Sequence, residues 1–468
     1  MVSTPNNKNH SSLTAEYLIQ QLNQFADQNN ITTWCLAYSG GIDSQVLLHL
    51  LHLSKFNIKA VYIDHGLQAQ SADWAEHCFQ QCKQLDIPFQ IIKVDATAAR
   101  GESPEAAARK ARYAALKNCI QENMCLLTAQ HQDDQTETIM LQLLRGAGAA
   151  GLSGMPEITE FGSGWHARPL LKISQRQIED YANLNGLSWV EDPSNQHLNY
   201  DRNYLRHSVM PELQKRWPAL NKTLSIFASQ QAENTRLLNV LAKQDLSSSL
   251  LEESNLENSN LENSELENFR LENFRLDINQ LNKLDDARLR NALRFWIKSN
   301  NKSMPSRAVL EQIVQQIKNY SSDSAVLISW ANVEIRCFRN KLFCLNKLSH
   351  DASQFFSWDM KNDLLLPSIE KKISFRKTNG DNSQFVLDTE KLKLPITVRF
   401  RQGGERIKPA GRNGSHDLKS LFQESAVPGW QRDRIPLLFV DEELVAVVGY
   451  WLSDDFAVKG EGVLPVLI

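Results

Sequence analysis

Between residues 31 and 145 the chain alternates between two hydrophobic periods, and this alternation limits the fold more than any other feature. Trp34-Cys35-Leu36-Ala37-Tyr38 is a short apolar run that stops at Ser39-Gly40-Gly41. A helical pattern follows from Asp43 to about Leu53, with Val46, Leu47, Leu50 and Leu51 on one face. Lys59 to Ile63 reads as a second strand closing on Asp64-His65-Gly66, and Ser71 to Leu85 as a helix. Phe89 to Val94 is a third strand. Ser103 has the character of an N-cap with Pro104 at the first helical position, opening a helix through Asn118. Met124 to Ala129 is a fourth strand, followed by a helix from about Asp134 to Leu144. Strands alternating with helices predict an α/β domain built on a doubly wound parallel sheet. Ligands of such sheets sit at the carboxyl ends of the strands, where Ser39, Asp64 and His131 fall.

The remainder is less regular. Residues 168–220 read as a completing segment. Ser174 and Gln177 have capping-box spacing, for a helix ending near Asn185-Gly186. A polar stretch from Trp189 to Asn195 and a basic run of Arg202, Arg206 and His207 at helical spacing come next. At roughly 150 residues per domain, the chain's length predicts about three domains. The expected division is 1–220 for the α/β domain and 221–345 for a helical middle domain. A connector over 346–387 and a small α+β C-terminal domain over 388–468 complete it. Residues 326–345 nevertheless alternate in strand fashion. Within the middle domain, residues 251–275 repeat as LEESN, LENSN, LENSE, LENFR, LENFR. Five residues advance a helix by about 500°, so the leucines cannot share one face. The expected reading is a duplicated, solvated insertion without catalytic meaning.

Composition narrows the class. Hydrophobic residues are 42% and charged residues 22%, which excludes collagen-like, wholly disordered and disulfide-scaffold chains. No apolar run approaches the 18 or so residues that span a bilayer. The polar N-terminus lacks a secretion signal, so a cytoplasmic location and no membrane partner are expected. The seven cysteines are scattered and complete no zinc site, in keeping with reduced thiols. A net charge of −3 argues against a uniformly basic nucleic-acid binder, yet Arg399 to Arg434 holds eight Lys/Arg against four acids. With Phe400, Phe422 and Trp430 interleaved, that tail suits phosphate contacts on an RNA stem. The plainer alternative is a solvated surface over core aromatics.

The strongest chemical signal is Ser39-Gly40-Gly41-Ile42-Asp43-Ser44, set between a buried strand and a helix start. Glycines let backbone N–H groups approach an anion, and the helix adds its positive end. Two serines add hydroxyls, and Asp43 can hold a magnesium ion on the phosphates. No G-x-x-x-x-G-K-[ST] occurs, so this is no Walker loop. The second signal is Gln130-His131-Gln132-Asp133-Asp134-Gln135-Thr136-Glu137-Thr138. Asp133 is the candidate N-cap; Asp134 and Glu137 share a helix face and can bind magnesium or hold an amine. Gly146-Ala147-Gly148-Ala149-Ala150-Gly151 fits G-x-G-x-x-G, but it follows a helix and reads as a helix end and loop.

The hexapeptide resembles the pyrophosphate-binding loop of the N-type ATP pyrophosphatases, which cleave ATP between the α and β phosphates. The chain as a whole resembles the bacterial tRNA(Ile)-lysidine synthetases. The matching segments are SGGIDS (39–44), DHGL (64–67), EAAARKARY (105–113), HQDDQTET (131–138), RGAGAAGLSGM (145–155), RPLL (168–171), WVEDPSN (189–195) and RNYLRH (202–207). KSLFQESAVPGWQRDRIPLL (419–438) looks like the family's C-terminal domain. Gln68 departs from the pattern, which leads one to expect Arg after DHGL. The resemblance implies ATP and Mg2+ as cofactors, and tRNA(Ile) with a CAU anticodon and free L-lysine as partners. It also implies adenylation of the cytosine C2 oxygen at the first anticodon position, then displacement of AMP by the lysine ε-amine. A homodimer is a further expectation.

Under that resemblance, Ser39, Gly40, Gly41, Ile42, Asp43 and Ser44 bind ATP. Asp43, His131, Asp134 and Glu137 are the catalytic candidates, with Asp43 and Asp134 toward magnesium and His131 near the nucleotide. Arg109, Arg112, Arg202 and Arg206 are candidates to line an RNA pocket; for each the plainer alternative is a surface salt bridge. A tRNA 2-thiolation enzyme of the same superfamily is the runner-up, but the chain has no Cys-x-x-Cys. Amidotransfer would need an ammonia source, and no glutaminase segment is recognisable. A non-catalytic RNA-binding protein with a relic nucleotide fold is the third alternative.

Overall fold

A computed structural model describes residues 13–66, 71–98, 103–193, 198–251, 275–321, 326–347, 350–369, 371–378, 385–392 and 395–468. Gln68, the end of the WVEDPSN segment and nearly all of the five-residue repeats lie outside the described residues. The chain divides into two compact units, Met1–Leu238 and Asn239–Ile468.

The first unit carries α1 (Ala15–Asn29), β1 (Thr33–Ala37), α2 (Ile42–Ser54), β2 (Ile58–Asp64), α3 (Ser71–Gln84), β3 (Phe89–Lys93), α4 (Pro104–Asn118), β4 (Met124–Leu127) and α5 (Gln132–Leu144). A short α6 (Ala149–Leu152), β5 (Ile158–Phe161), β6 (Gly164–Ala167) and α7 (Gln175–Leu184) follow. The unit continues with α8 (Asp201–Tyr204), a π-helical stretch Leu205–Val209, α9 (Met210–Arg216) and the start of α10 (Leu220–Ser247). The sheet order is β3-β2-β1-β4-β6-β5. All neighbours are parallel except the β5–β6 hairpin at the edge. Alternation along β1 explains the double winding. Trp34 and Leu36 pack on one face with Leu18, Leu47, Leu51 and Ile178, while Cys35 packs on the other with Leu116 and Leu126. Each fully buried leucine contributes about 2 kcal/mol.

Two features of this unit depart from the sequence expectation. The β5–β6 hairpin was not anticipated. Its two-residue turn is Gly162-Ser163 with Gly162 at φ +66°, and a Cβ on Gly164 would lie 2.3 Å from the Met124 carbonyl oxygen. Only glycine fits there. The second departure is the cap of α5. Asp133 is not the N-cap: His131 is, its Nδ1 accepting from the Asp133 amide while Asp134 reaches back to the His131 amide. The helix therefore begins two residues earlier than its apolar pattern. The N-cap at Ser103 and the capping box at Ser174 are where the sequence put them.

In the second unit a sheet stands beside the expected helices. Strands β7 (Leu250–Leu251), β8 (Arg275–Asp277), β9 (Leu327–Trp330), β10 (Val333–Phe338) and β11 (Lys341–Asn346) form an antiparallel sheet in the order β7-β8-β11-β10-β9. Helices Asp286–Ser299 and Arg307–Lys318 bury Trp296, Ile297, Ile313 and Val314 among its Ile335 and Leu342. Further on lie β12 (Phe355–Trp358), β13 (Leu364–Leu366), β14 (Lys371–Thr378), β15 (Phe385–Leu387), β16 (Ile396–Arg399), β17 (Arg406–Ile407) and β18 (His416–Asp417). Strands β19 (Leu437–Val440), β20 (Glu443–Val447), β21 (Trp451–Leu452), β22 (Ala457–Lys459) and β23 (Gly462–Leu467) complete the chain. They form two five-stranded sheets, β12-β16-β19-β20-β21 and β13-β14-β23-β15-β22, and the β17–β18 pair. The stretch 346–387, expected as a connector, thus supplies strands to both sheets. β12 pairs with β16 and β14 with β23, over residues whose apolar side chains face one shared core.

Candidate active site

The sheet order places a topological switch point between β1 and β4, since the chain runs β1-β2-β3 to one side and returns to add β4 on the other. The Ser39–Ser44 loop leaves β1 and the His131–Glu137 segment leaves β4, so both flank one crevice. Gly40 has φ +81°, and a Cβ on it would sit 2.8 Å from the Cys78 sulfur, so the turn needs glycine twice over. Gly41 caps α2 without any side-chain bond, leaving the first-turn N–H groups directed out of the helix end. Ser44 Oγ donates to the Gly41 carbonyl at 2.9 Å and accepts from the Ser39 amide at 3.3 Å, which holds the loop closed on itself. The Val190 amide donates to the Gly40 carbonyl at 2.9 Å, so the polar 189–193 stretch buttresses the loop from outside.

Charge is concentrated opposite this loop. His131 is 2% exposed. Its Nδ1 accepts a hydrogen bond, so the ring proton sits on Nε2, 3.4 Å from Asp134 Oδ2 and 3.9 Å from Asp43 Oδ1. Burial raises the pKa of Asp43, with His131 and Arg206 pulling the other way, and its Oδ1 is buried without a hydrogen-bond partner. Asp134 goes in the opposite direction. Burial opposes its charge, but His131, Arg202 and Arg206 outweigh that and hold its pKa below the usual carboxylate value. Arg202 donates to Glu137 Oε2 and Asp134 Oδ1, each at 2.8 Å. Arg206 donates to Asp134 Oδ1 at 2.8 Å and to both Glu137 oxygens at 2.5 and 2.9 Å. The π-helical stretch begins between these two arginines. Burial lowers the pKa of Arg206, but its bonds to Glu137 and the charges of Glu137 and Asp134 raise it further above the ordinary value.

The structure thus joins six of the sequence candidates, Asp43, His131, Asp134, Glu137, Arg202 and Arg206, in one cluster. Asp133 ties the cluster to its surroundings, accepting from the Gln175 amide and from Asn221 Nδ2. Arg112 donates to His65 Nε2 at 3.3 Å, at the carboxyl end of β2. Arg109 stacks over Tyr113 at 4.9 Å. Asp43 keeps an oxygen available to a cation, whereas Asp134 has Oδ1 on the arginines and Oδ2 on His131. The residues therefore fit a magnesium held by Asp43 with substrate phosphates, and do not fit Asp134 as its ligand in this arrangement. Among the described residues no group of three His, Cys, Asp or Glu side chains is gathered to hold a metal.

Residues 14–213 match the family described as a PP-loop domain, 276–343 the TilS substrate binding domain, and 396–465 the TilS substrate C-terminal domain. The tRNA(Ile)-lysidine synthase of Coxiella burnetii is 42% identical over 453 residues, covering 96% of this chain and 95% of the relative. The chain belongs to the tRNA(Ile)-lysidine synthase family. A second family member, from Methylococcus capsulatus, is 37% identical over 433 residues, 91% of this chain and 93% of the relative. Among solved structures, the U34-tRNA thiolase NcsA from Methanococcus maripaludis is 16% identical, with a TM-score of 0.41 over 50% of this chain and 89% of that one.

The second unit holds the basic tail, and there the sequence expectation needs adjusting. Arg399 pairs with Glu442, Arg406 with Asp417, Lys408 with Asp454 and Arg412 with Glu424. Two of those acids, Glu442 and Asp454, lie outside the 399–434 window, so the net of +4 there falls to +2. Phe400 and Phe422 are core residues, 2% and 0% exposed, so their rings are not presented at the surface. Trp430 packs edge-on against Phe343 and Phe338 under Arg336. The aromatics belong to packing, as the plainer alternative had it.

Proposed function

We propose that this chain is a ligase forming lysidine on tRNA(Ile), with ATP consumed to AMP and pyrophosphate. The observation that carries the reading is the pairing of a glycine loop and a carboxylate–histidine cluster across one switch point, in a chain that covers 95% of its Coxiella burnetii relative. By this reading the substrates are ATP, free L-lysine and the CAU-anticodon tRNA, whose first anticodon cytidine is adenylated at O2. The amides of the Ser39–Ser44 loop and the start of α2 bind the phosphates and stabilise charge growing on the leaving pyrophosphate. Asp43 would hold a magnesium ion on those phosphates, neutralising part of their charge. His131 Nε2–H directs a donor between the carboxylates on the β1 and β4 sides of the crevice.

Asp134 and Glu137 are the carboxylates the lysine amine would meet by displacing an arginine bond, and Arg202 and Arg206 hold them in register until then. The amine must lose its proton before attack; carboxylates orient it but favour its charged form, so desolvation in the confined site and transfer of the proton to a carboxylate would have to free it. Arg109 and Arg112, exposed on α4, would meet RNA phosphates. We divide the chain accordingly into an adenylating part over 1–220 and a substrate part over 221–345, with a C-terminal part that starts near residue 350. Thiolation is disfavoured by the thiols themselves. Burial pushes Cys35, Cys78, Cys82 and Cys125 up to about 12, far from the thiolate such chemistry uses. No helix among the described residues is long and apolar enough to cross a membrane.

The deciding experiment is incubation with ATP, labelled lysine and an unmodified CAU-anticodon transcript, followed by nucleoside analysis. Label in a modified cytidine, with pyrophosphate release that requires both ATP and RNA, is the expected result. Pyrophosphate release without base modification would overturn the reading.

A further inference from the structure

The end of β4 holds a second buried polar assembly, separate from the carboxylate cluster. His166 is 2% exposed and lies between Thr128 and Arg168, 6% and 9% exposed. Arg168 Nη2 is 3.2 Å from His166 Nδ1. A guanidinium offers only donors, so Nδ1 accepts and the ring proton sits on Nε2. That Nε2 is 2.7 Å from Thr128 Oγ1 and donates to it. The Thr128 hydroxyl in turn donates to Gln130 Oε1. Burial first, then the charges of Arg168 and Arg109, push the His166 pKa down to about 3, so the ring stays neutral and the direction of the chain does not reverse. Arg168 Nη1 is fixed on the Pro156 carbonyl at 2.9 Å, while its Nε is buried with no partner. Burying a guanidinium on those terms is costly, and apolar packing would serve the fold better.

The relay ends at the switch point. Gln130 lies between β4 and the His131 cap, with Oε1 turned inward to Thr128. Its Nε2 has no partner among the described residues and is not sealed from solvent. We propose that Gln130 is a specificity-determining contact, donating from Nε2 to a neutral acceptor on a heteroaromatic base, a ring nitrogen or carbonyl oxygen. Arg168, His166 and Thr128 are positioning residues that fix which end of its amide faces outward. The inference rests on the reading that a nucleotide and an RNA base meet in this crevice. A base edge is the ligand because the phosphates already have the loop amides, and an uncharged carboxamide pairs with base edges. Adenine and cytosine both present such acceptors.

Affinities of the full-length chain for ATP and for the unmodified CAU-anticodon transcript, titrated separately, distinguish the two sources. Q130M removes the donor without adding charge. We expect it to weaken one of the two ligands about tenfold, equally at low and high salt. Loss at ATP assigns adenine; loss at the transcript assigns the cytosine. T128V should weaken the same ligand, and T128S, which restores the hydroxyl, should bind as the parent does. Q130M binding both ligands within about twofold of the parent overturns the proposal, as does T128S losing as much as T128V. A merely structural role would lower the melting temperatures and leave the two affinities together. Lysine incorporation by the parent is the separate control: if it fails, the functional reading falls, while the two titrations still decide Gln130.

Discussion

The crevice of the first unit and the basic tail of the second treat charge in opposite ways. In the first, Asp134 and Glu137 are 13% and 3% exposed, and both bond to the same two arginines, which are about a third exposed. In the second, the Arg412–Glu424 pair is 48% and 55% exposed, and Glu442 facing Arg399 is 85% exposed. Buried charges that share partners cannot be removed singly without stranding another, whereas exposed pairs exchange freely with water and salt. The difference teaches where function can be concentrated. The crevice has a few indispensable side chains, and the basic tail acts, if on RNA, as a sum of weak contacts.

The sharpest way to break this comparison is E137Q. It leaves the shape of the helix intact but withdraws the anion that three of the arginine bonds address. Stability should fall by about 3 kcal/mol, at the lower end for a broken buried pair because the guanidiniums are partly solvated. Lysidine formation should fall about a hundredfold or more. Denaturant unfolding and nucleoside analysis check the two. A variant as stable and active as the parent would remove Glu137 from the site.

D43N is expected to have a smaller and more selective effect. Pyrophosphate release should fall about a hundredfold, with a weakened response to added magnesium, while thermal stability does not fall. The sign follows from the raised pKa of Asp43. A carboxyl that folding makes harder to ionise contributes stability below its ordinary value of 3.8 and loses it as pH rises through the raised value. Asp134, held low, does the reverse: its contribution is complete above 3.8 and disappears as pH falls through the lowered value. Melting curves across acidic pH should therefore show D43N gaining on the parent as pH rises toward neutral.

Much of this site was legible beforehand, for a physical reason. The glycine at 40, with φ +81°, and carboxylates one helical turn apart follow from local geometry, and local geometry is written in consecutive residues. What escaped depends on distant neighbours. The cap of α5 went to His131 rather than Asp133, because Asp133 is taken by Gln175 and Asn221. Arg202 and Arg206 read as RNA contacts in sequence, and only the fold shows them on Asp134 and Glu137. Arg168 was visible as part of a motif without visible chemistry: His166 is only two residues away, but the pair's role depends on Thr128, which the fold brings in from the end of β4. The 388 boundary cuts two sheets because antiparallel pairing across 355–378 and 396–467 is a long-range property.

The smallest effect should come from the tail, and it sharpens the comparison from the other side. R399A and R412A each remove one exposed ion pair, so each should change stability by less than about 1 kcal/mol. Either arginine, once released from its acid by an arriving phosphate, neutralises one charge, so transcript affinity should fall only about threefold at low salt. That loss should shrink as salt is added, because screening acts on exposed charges and spares the buried cluster. Affinity titrations of both variants across salt, set beside E137Q, test the contrast directly. If R399A or R412A abolished RNA binding and its loss did not respond to salt, the tail would hold a specific site, and charge in the second unit would have to be read as in the first.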